Sequence, residues 1–210
     1  MIKRGLNNKA GGPGGMAMEG QSPLTRPRAL AAIVRDTHRS GFTMASEPEV
    51  GAFLRALAAS KPGGRLLELG TGTGHGTAWL LEGMDGAARL DSVDTDAAVQ
   101  EIARRHVGHD PRVTFHLEDG ADFLRGCRPE EYDLIFADAW PGKFFHLDLT
   151  LSLVRKGGIY FVDDLLPQPN WPEGHEEKVA ALVRGLESRS GFAAARLEWG
   201  SGVMILVRSD

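Results

Sequence analysis

The order of apolar runs, glycine turns and helical stripes predicts an α/β protein built on a doubly wound, mostly parallel sheet of seven strands, with an antiparallel strand in a C-terminal hairpin. Three observations carry that expectation. Residues 65–81, RLLELGTGTGHGTAWLL, pass from an apolar run to a glycine turn and then to apolar residues at helical spacing. That is the pattern of strand, tight turn and helix. Strand-like and helix-like segments then alternate downstream, which calls for a parallel sheet covered on both faces. Finally, Glu68, Asp94, Asp119, Asp138 and Asp163 each fall at or just past the carboxyl end of an expected strand, the edge where open parallel sheets bind ligands.

Taken in order, residues 1–22 are glycine-rich and poor in large apolar residues, and are expected to be a disordered tail. Residues 23–210 are expected to form one domain. Leu30, Ile33 and Val34 predict a short helix between Pro27 and Arg39, ended by Gly41. Ser46 and Glu49 have capping-box spacing, with Pro48 in the first turn, ahead of the stripe Val50, Phe53, Leu54 and Leu57. Lys61-Pro62-Gly63-Gly64 breaks that helix before the first strand. Further strands are expected at Arg89–Val93, Arg112–Leu117, Tyr132–Ala137 and Ile159–Val162, and helices at Ala97–His106, at about Phe144–Val154 and at 175–189. Arg155-Lys156-Gly157-Gly158 reads as a turn. Phe192–Trp199 and Val203–Val207 read as a terminal hairpin around Gly200-Ser201-Gly202.

Composition narrows the function. With 24 basic and 28 acidic residues the net charge is −4, so no global basicity points to a polyanion partner. One cysteine, Cys127, excludes an internal disulfide and a thiolate metal cage. No apolar run has the length of a membrane span and no secretory signal is evident, so a cytoplasmic protein is expected.

The glycine turn does not fit the dinucleotide spacing G-x-G-x-x-G, whose third glycine would fall at His75 or Thr77. The pattern is E-x-G-x-G-x-G. Glu68 would repel a pyrophosphate but not the ammonium of an amino-acid ligand. S-adenosylmethionine (SAM) carries that ammonium and a sulfonium. Asp94, about 20 residues past the turn, stands where a ribose-binding acid falls in nucleotide folds, and Asp119 could accept from an adenine amino group. Several acids on one edge repel each other unless something positive or hydrogen-bonding sits among them.

This order of motifs resembles the class I SAM-dependent methyltransferases, and more narrowly the cation-dependent O-methyltransferases related to catechol and caffeoyl-CoA O-methyltransferase. The resemblance spans roughly residues 40–208 and implies a Rossmann-like fold. It implies that Met44, Ser46 and Gly51 close over the cofactor, that Glu68, Gly70, Gly72 and Gly74 hold the methionine moiety, and that Asp94 and Asp119 take the ribose and adenine. Thr71, Thr77, Thr95 and Gly120 complete the expected cofactor set. Asp138 would touch both the cofactor and a divalent metal such as Mg²⁺, with Asp163 and Asp164 as the other metal ligands. Two departures stand out. Pro141 occupies the position of the family's catalytic lysine, leaving Lys143 two places on, and Asp164 replaces an asparagine. Asp138 and Lys143 are the catalytic candidates.

The expected reaction moves a methyl group from SAM to an oxygen of a small aromatic acceptor. Two routes to deprotonation stay open: a metal on the acid trio, or a base among Lys143, His146 and His175. Lys143 reads as a solvated turn residue and His146 as a packing residue on a helix. Trp140 and Trp171 could wall an aromatic acceptor. Alternatives are a methyltransferase acting on protein or RNA, the latter using Arg104, Arg105, His106 and Arg112, a metal-independent N-methyltransferase, or a SAM-binding protein without catalysis. The N-terminal helix is a plausible homodimer contact.

Overall fold

The computed structural model describes residues 26–168 and 171–210; the tail expected at 1–22 lies outside the described residues. The elements run α1 (Leu30–Ser40), α2 (Pro48–Ala59), β1 (Arg65–Leu69), α3 (His75–Gly83), β2 (Arg89–Asp94), α4 (Ala97–Val107), β3 (Val113–Leu117), α5 (Gly120–Gly126), β4 (Tyr132–Ala137), α6 (Leu147–Leu153), β5 (Val154–Val162), α7 (His175–Glu187), β6 (Phe192–Leu197) and β7 (Val203–Arg208). They form one seven-stranded sheet in the order β3-β2-β1-β4-β5-β7-β6. Strands β1 to β5 pair in parallel, while β7 is antiparallel to both β5 and β6. The chain winds outward in opposite directions from β1 and β4, so the carboxyl ends of those two strands flank the crevice where such sheets bind ligands.

Side chains on a strand alternate between faces, and here each face has its own core. Leu66, Leu134, Phe136, Ile159 and Phe161 pack with residues of α1, α2 and α3. Leu67, Ile135, Ala137, Tyr160 and Val162 pack with residues of α5, α6 and α7. The strands are therefore apolar on both faces, as the unbroken runs in the sequence require. Glu68 shares a face with Leu66, and so is an acid pointing into the first core.

Three local expectations change. Ser46 does not cap α2, whose N-cap is Glu47 with no side-chain cap bond; its hydroxyl donates to Asp138 Oδ2 instead, at 3.2 Å. The turn expected at 155–158 lies inside β5, which starts at Val154 opposite Tyr132, slips register, and resumes with Ile159 opposite Leu134. The helix expected from Phe144 starts later, because the Trp140 carbonyl accepts from the N–H groups of Lys143, Phe144 and Phe145 in a closed turn. Gly142 in that turn has φ +84°, and a Cβ there would lie 2.3 Å from Leu69 Cδ1. The turn is thus pressed onto the end of β1.

Helices α2 and α3 pack closely at one glycine. A Cβ on Gly51 would stand 2.2 Å from the indole of Trp79, which is fully buried and cannot swing away. Overpacking of this kind costs about 1–3 kcal/mol, against the ~1 kcal/mol that alanine gains over glycine in a helix. Gly51→Ala is expected to be destabilising by up to about 2 kcal/mol net, read from urea midpoints, and a higher midpoint would contradict the packing described.

Candidate active site

The loop after β1 is built from glycines with two different duties. Gly70, Gly72 and Gly74 have φ of +100°, +51° and +93°, the left-handed region that other residues enter at a cost. Gly76 lies in α3 and is needed for closeness instead: a Cβ there would be 2.4 Å from Glu68 Oε1. The N–H of Gly72 donates to Asp94 Oδ2 at 2.8 Å, and Asp94 Oδ1 accepts from Asp96 N at 2.9 Å. One carboxylate thus ties the glycine turn to the turn after β2.

Beneath the turn, Glu68 is fully buried. Its Oε2 accepts from Thr77 Oγ1 at 2.5 Å and from Ser92 Oγ at 2.6 Å, joining β1, α3 and β2. Its Oε1 has no partner. Burial pushes the carboxyl up to about 8, against the opposing pull of the two hydroxyls, so near neutral pH it is mostly the uncharged acid. Thr71 completes the underside, bonded to Ser92 Oγ at 2.7 Å and receiving Gln100 Nε2 at 3.1 Å.

A cavity of about 450 Å³ opens over this crevice. Met44, Gly70, Gly72, Asp94, Thr95, Gly120, Asp138, Lys143 and Asp164 line it, as do Val93, Trp140, Phe144 and His175. A second, of about 290 Å³, is bounded by Met44, Ser46, Asp138, Asp163, Asp164, Trp171 and His175. A small third space lies between Ser46, Glu68, Gly70, Thr71 and Gly76. Asp138 borders all three. Three expected cofactor residues line none of them. Gly74 shapes the turn, where a Cβ would be 2.7 Å from Ala103 Cβ. Thr77 is spent on Glu68. Asp119 is exposed and caps α5, accepting from Ala121 N at 2.7 Å, while its neighbour Gly120 faces the cavity. Among the wall residues, Phe42, Val93 and Phe144 had no signal in the sequence beyond being apolar.

The acid corner departs from the expected metal site. Among the described residues no group of three His, Cys, Asp or Glu side chains is arranged to hold a metal ion. The Asp163 carboxylate is taken by the Ser201 hydroxyl and, at 2.7 Å, by the Asp164 N–H. Asp138 accepts from Ser46. Lys143, far from being a solvated turn residue, is only 4% exposed and donates from Nζ to the Asp163 carbonyl at 2.5 Å. Its ammonium lowers the carboxyls of Asp138 and Asp163, which burial and mutual repulsion otherwise raise; Asp163 stands at about 6 and Asp138 well above its usual range. Lys143 thus supplies a positive charge near the acids that the resemblance assigns to a metal, and among the described residues those acids form no converging ligand set. His146 is also unlike its expectation: exposed, left-handed at φ +58°, and at the N-cap of α6.

The basic residues considered for RNA are tied up. Arg105 and His106 meet Asp36, Arg112 meets Asp110, and Arg104 bonds Gln100 and the Phe115 carbonyl. No helix among the described residues is long and apolar enough to cross a membrane.

Glu68 makes stability depend on pH. Its folded pKa is raised, so its contribution is complete below the unfolded value of 4.5 and is lost as pH rises toward about 8. The slope is about 1.4 kcal/mol per pH unit at most. Between pH 5 and 8 the wild type should lose stability relative to Glu68→Gln, whose side chain stays neutral; parallel urea-derived curves for the two proteins would refute the assignment.

A methyltransferase-domain family profile matches residues 67–165. A Mycobacterium leprae (strain TN) protein named among the O-methyltransferases is 32% identical over 190 residues, covering 86% of this chain and 85% of that protein. The O-methyltransferase TomG of Streptomyces achromogenes, solved with SAM, superposes with a TM-score of 0.74 at 22% identity, over 87% of this chain and 90% of that one. An O-methyltransferase of Bacillus cereus solved with S-adenosylhomocysteine (SAH) gives 0.74 at 20%, over 86% and 90%. The structural likenesses agree with the observed sheet order and its antiparallel C-terminal strand. On the sequence relationship the chain belongs to the O-methyltransferases, and it shares its fold with O-methyltransferases solved with SAM and SAH.

Proposed function

We propose that the protein methylates a hydroxyl of a small aromatic acceptor, with SAM over the glycine turn and the acceptor against Trp140 and Phe144. The observation that carries this reading is Asp138, the one carboxylate bordering the space over the turn, the space beside Trp171 and the pocket above Glu68. A sulfonium and an acceptor oxygen would meet beside it.

The residues fit SAM. Asp94 presents a carboxylate to the cavity beside Thr95, suited to the two ribose hydroxyls. The orphaned Oε1 of Glu68 lies under a pocket that Gly70, Gly72 and Ser46 bound, suited to the methionine ammonium. Gly120, Val99 and Val93 offer an apolar flank for a base. When bound, SAM supplies an electrophilic methyl group. The chain's part is mainly to hold the acceptor oxygen in line with that methyl and keep water away. Asp138 faces the charge that disappears on transfer. Lys143 bonds the Asp163 carbonyl, and its charge offsets the repulsion among the acids. Met44, 66% exposed and bordering all three spaces, is set to cover the ligands.

Two measurements test the cofactor site. Asp94→Ala should weaken SAM binding by at least about tenfold in calorimetry, since it removes the acceptor for a charge-assisted pair of hydrogen bonds. The ammonium of SAM should also draw Glu68 toward its carboxylate, so binding near pH 7 should release protons and tighten as pH rises toward 8. That release appears as a binding enthalpy that varies with buffer ionisation enthalpy, and Glu68→Gln should abolish it. A wild type that binds no SAM would sink the reading.

A further inference from the structure

We propose that His175 is the general base of a metal-free O-methylation, taking the hydroxyl proton of a phenolic acceptor held against Trp140 and Phe144. The inference rests on the acceptor site proposed above and adds the group that performs its proton transfer.

His175 is the first residue of α7, set by Gly174 in the left-handed conformation at φ +75°. Its side chain is 6% exposed, borders both larger cavities, and leaves Nδ1 buried without a partner. Buried ring nitrogens are normally paired; this one has no hydrogen bond within the protein, and the ring that carries it walls the space proposed for the acceptor. The ring is fixed by aromatic neighbours from three directions, with centroids 4.8 Å from Trp171, 5.1 Å from Phe144 and 5.8 Å from Trp140. Those same rings would sandwich a planar acceptor beside it.

The charged groups around it are Lys143 from the 140–146 turn, Lys178 from its own helix, and Asp164 past the end of β5. Burial and the two ammonium groups hold the imidazole below its usual range, opposed by Asp164. The positive end of α7 acts in the same sense. The ring is therefore neutral near pH 7, with a lone pair free to accept. The competing bases are engaged: Lys143 donates to the Asp163 carbonyl, and His146 is exposed and borders none of the cavities described above.

The step balances. The acceptor O–H proton passes to the unpaired imidazole nitrogen as the oxygen forms its bond to the methyl carbon. The carbon–sulfur bond breaks with its electron pair to sulfur, leaving the neutral thioether. The imidazolium, attracted to Asp164 and the faces of Trp140 and Trp171, then loses its proton to solvent.

The test uses the full chain with SAM, EDTA and three phenolic probes: catechol, 4-nitrocatechol and caffeate. In the wild type at least one probe should shift the His175 ring resonances in the SAH complex and be methylated with EDTA present. His175→Gln should lose turnover by on the order of 10²–10⁴ while binding SAM with unchanged affinity. Lys178→Gln, on the exposed face of α7, should raise the His175 pKa and move the acid limb of kcat/KM upward by the same amount; a merely structural histidine would leave that limb alone. Turnover that survives in His175→Gln, a strict requirement for Mg²⁺, or three probes that leave the His175 signals unmoved would each overturn the proposal. Loss of SAM binding by the wild type would instead overturn the reading beneath it.

Discussion

The site depends on an acid placed where an apolar residue would otherwise go. Glu68 occupies a core-facing position of the central strand, under the glycine turn, and two hydroxyls from neighbouring elements converge on one of its oxygens. A buried carboxyl tolerates this only when it is hydrogen-bonded or neutral, and here it is bonded on one side and neutral near physiological pH. The arrangement explains Gly76, since only a residue without Cβ lets α3 approach Glu68 Oε1. It also explains Ser92 and Thr77, two polar residues in otherwise apolar surroundings. The turn's shape and the remaining unpaired oxygen are two results of one substitution of acid for hydrocarbon.

The second constraint is electrostatic. Carboxyl ends of parallel strands collect acids, and crowding them raises their proton affinity. This chain relieves the crowding internally. Lys143 is folded inward by the turn that Gly142 permits, and Ser201 and Ser46 each satisfy one carboxylate. Among the described residues these acids form no converging set of the kind a divalent cation needs.

Much of this was legible in the sequence, for identifiable reasons. Strands buried on both faces are apolar runs, and glycines at alternate positions have few other uses, so the sheet, the turn and Asp94 could be read directly. What escaped were residues whose roles are set by irregular backbone. Lys143 follows a proline and a left-handed glycine, and no period says which way it points. Ser46 has the spacing of a helix cap yet bonds across 92 residues to Asp138, because the preceding segment is drawn over the sheet edge. Asp119 could serve a ligand or a helix, and the helix took it. His175 stood beside Lys143 and His146 as one of three candidate bases, and what separates it from them is the aromatic rings that tertiary folding gathers around it.

The position of β7 has a consequence for how the domain comes into being. It lies between β5 and β6, and its hairpin loop supplies Ser201 to Asp163 and carbonyls to the N–H groups of Leu165 and Leu166. These residues leave the ribosome after β1 to β6. Until they emerge, β5 presents an open edge and the acid corner lacks a hydroxyl. The nascent chain therefore carries a nearly complete sheet that cannot yet position its acids. It is also exposed to wrong strand pairing at that stage.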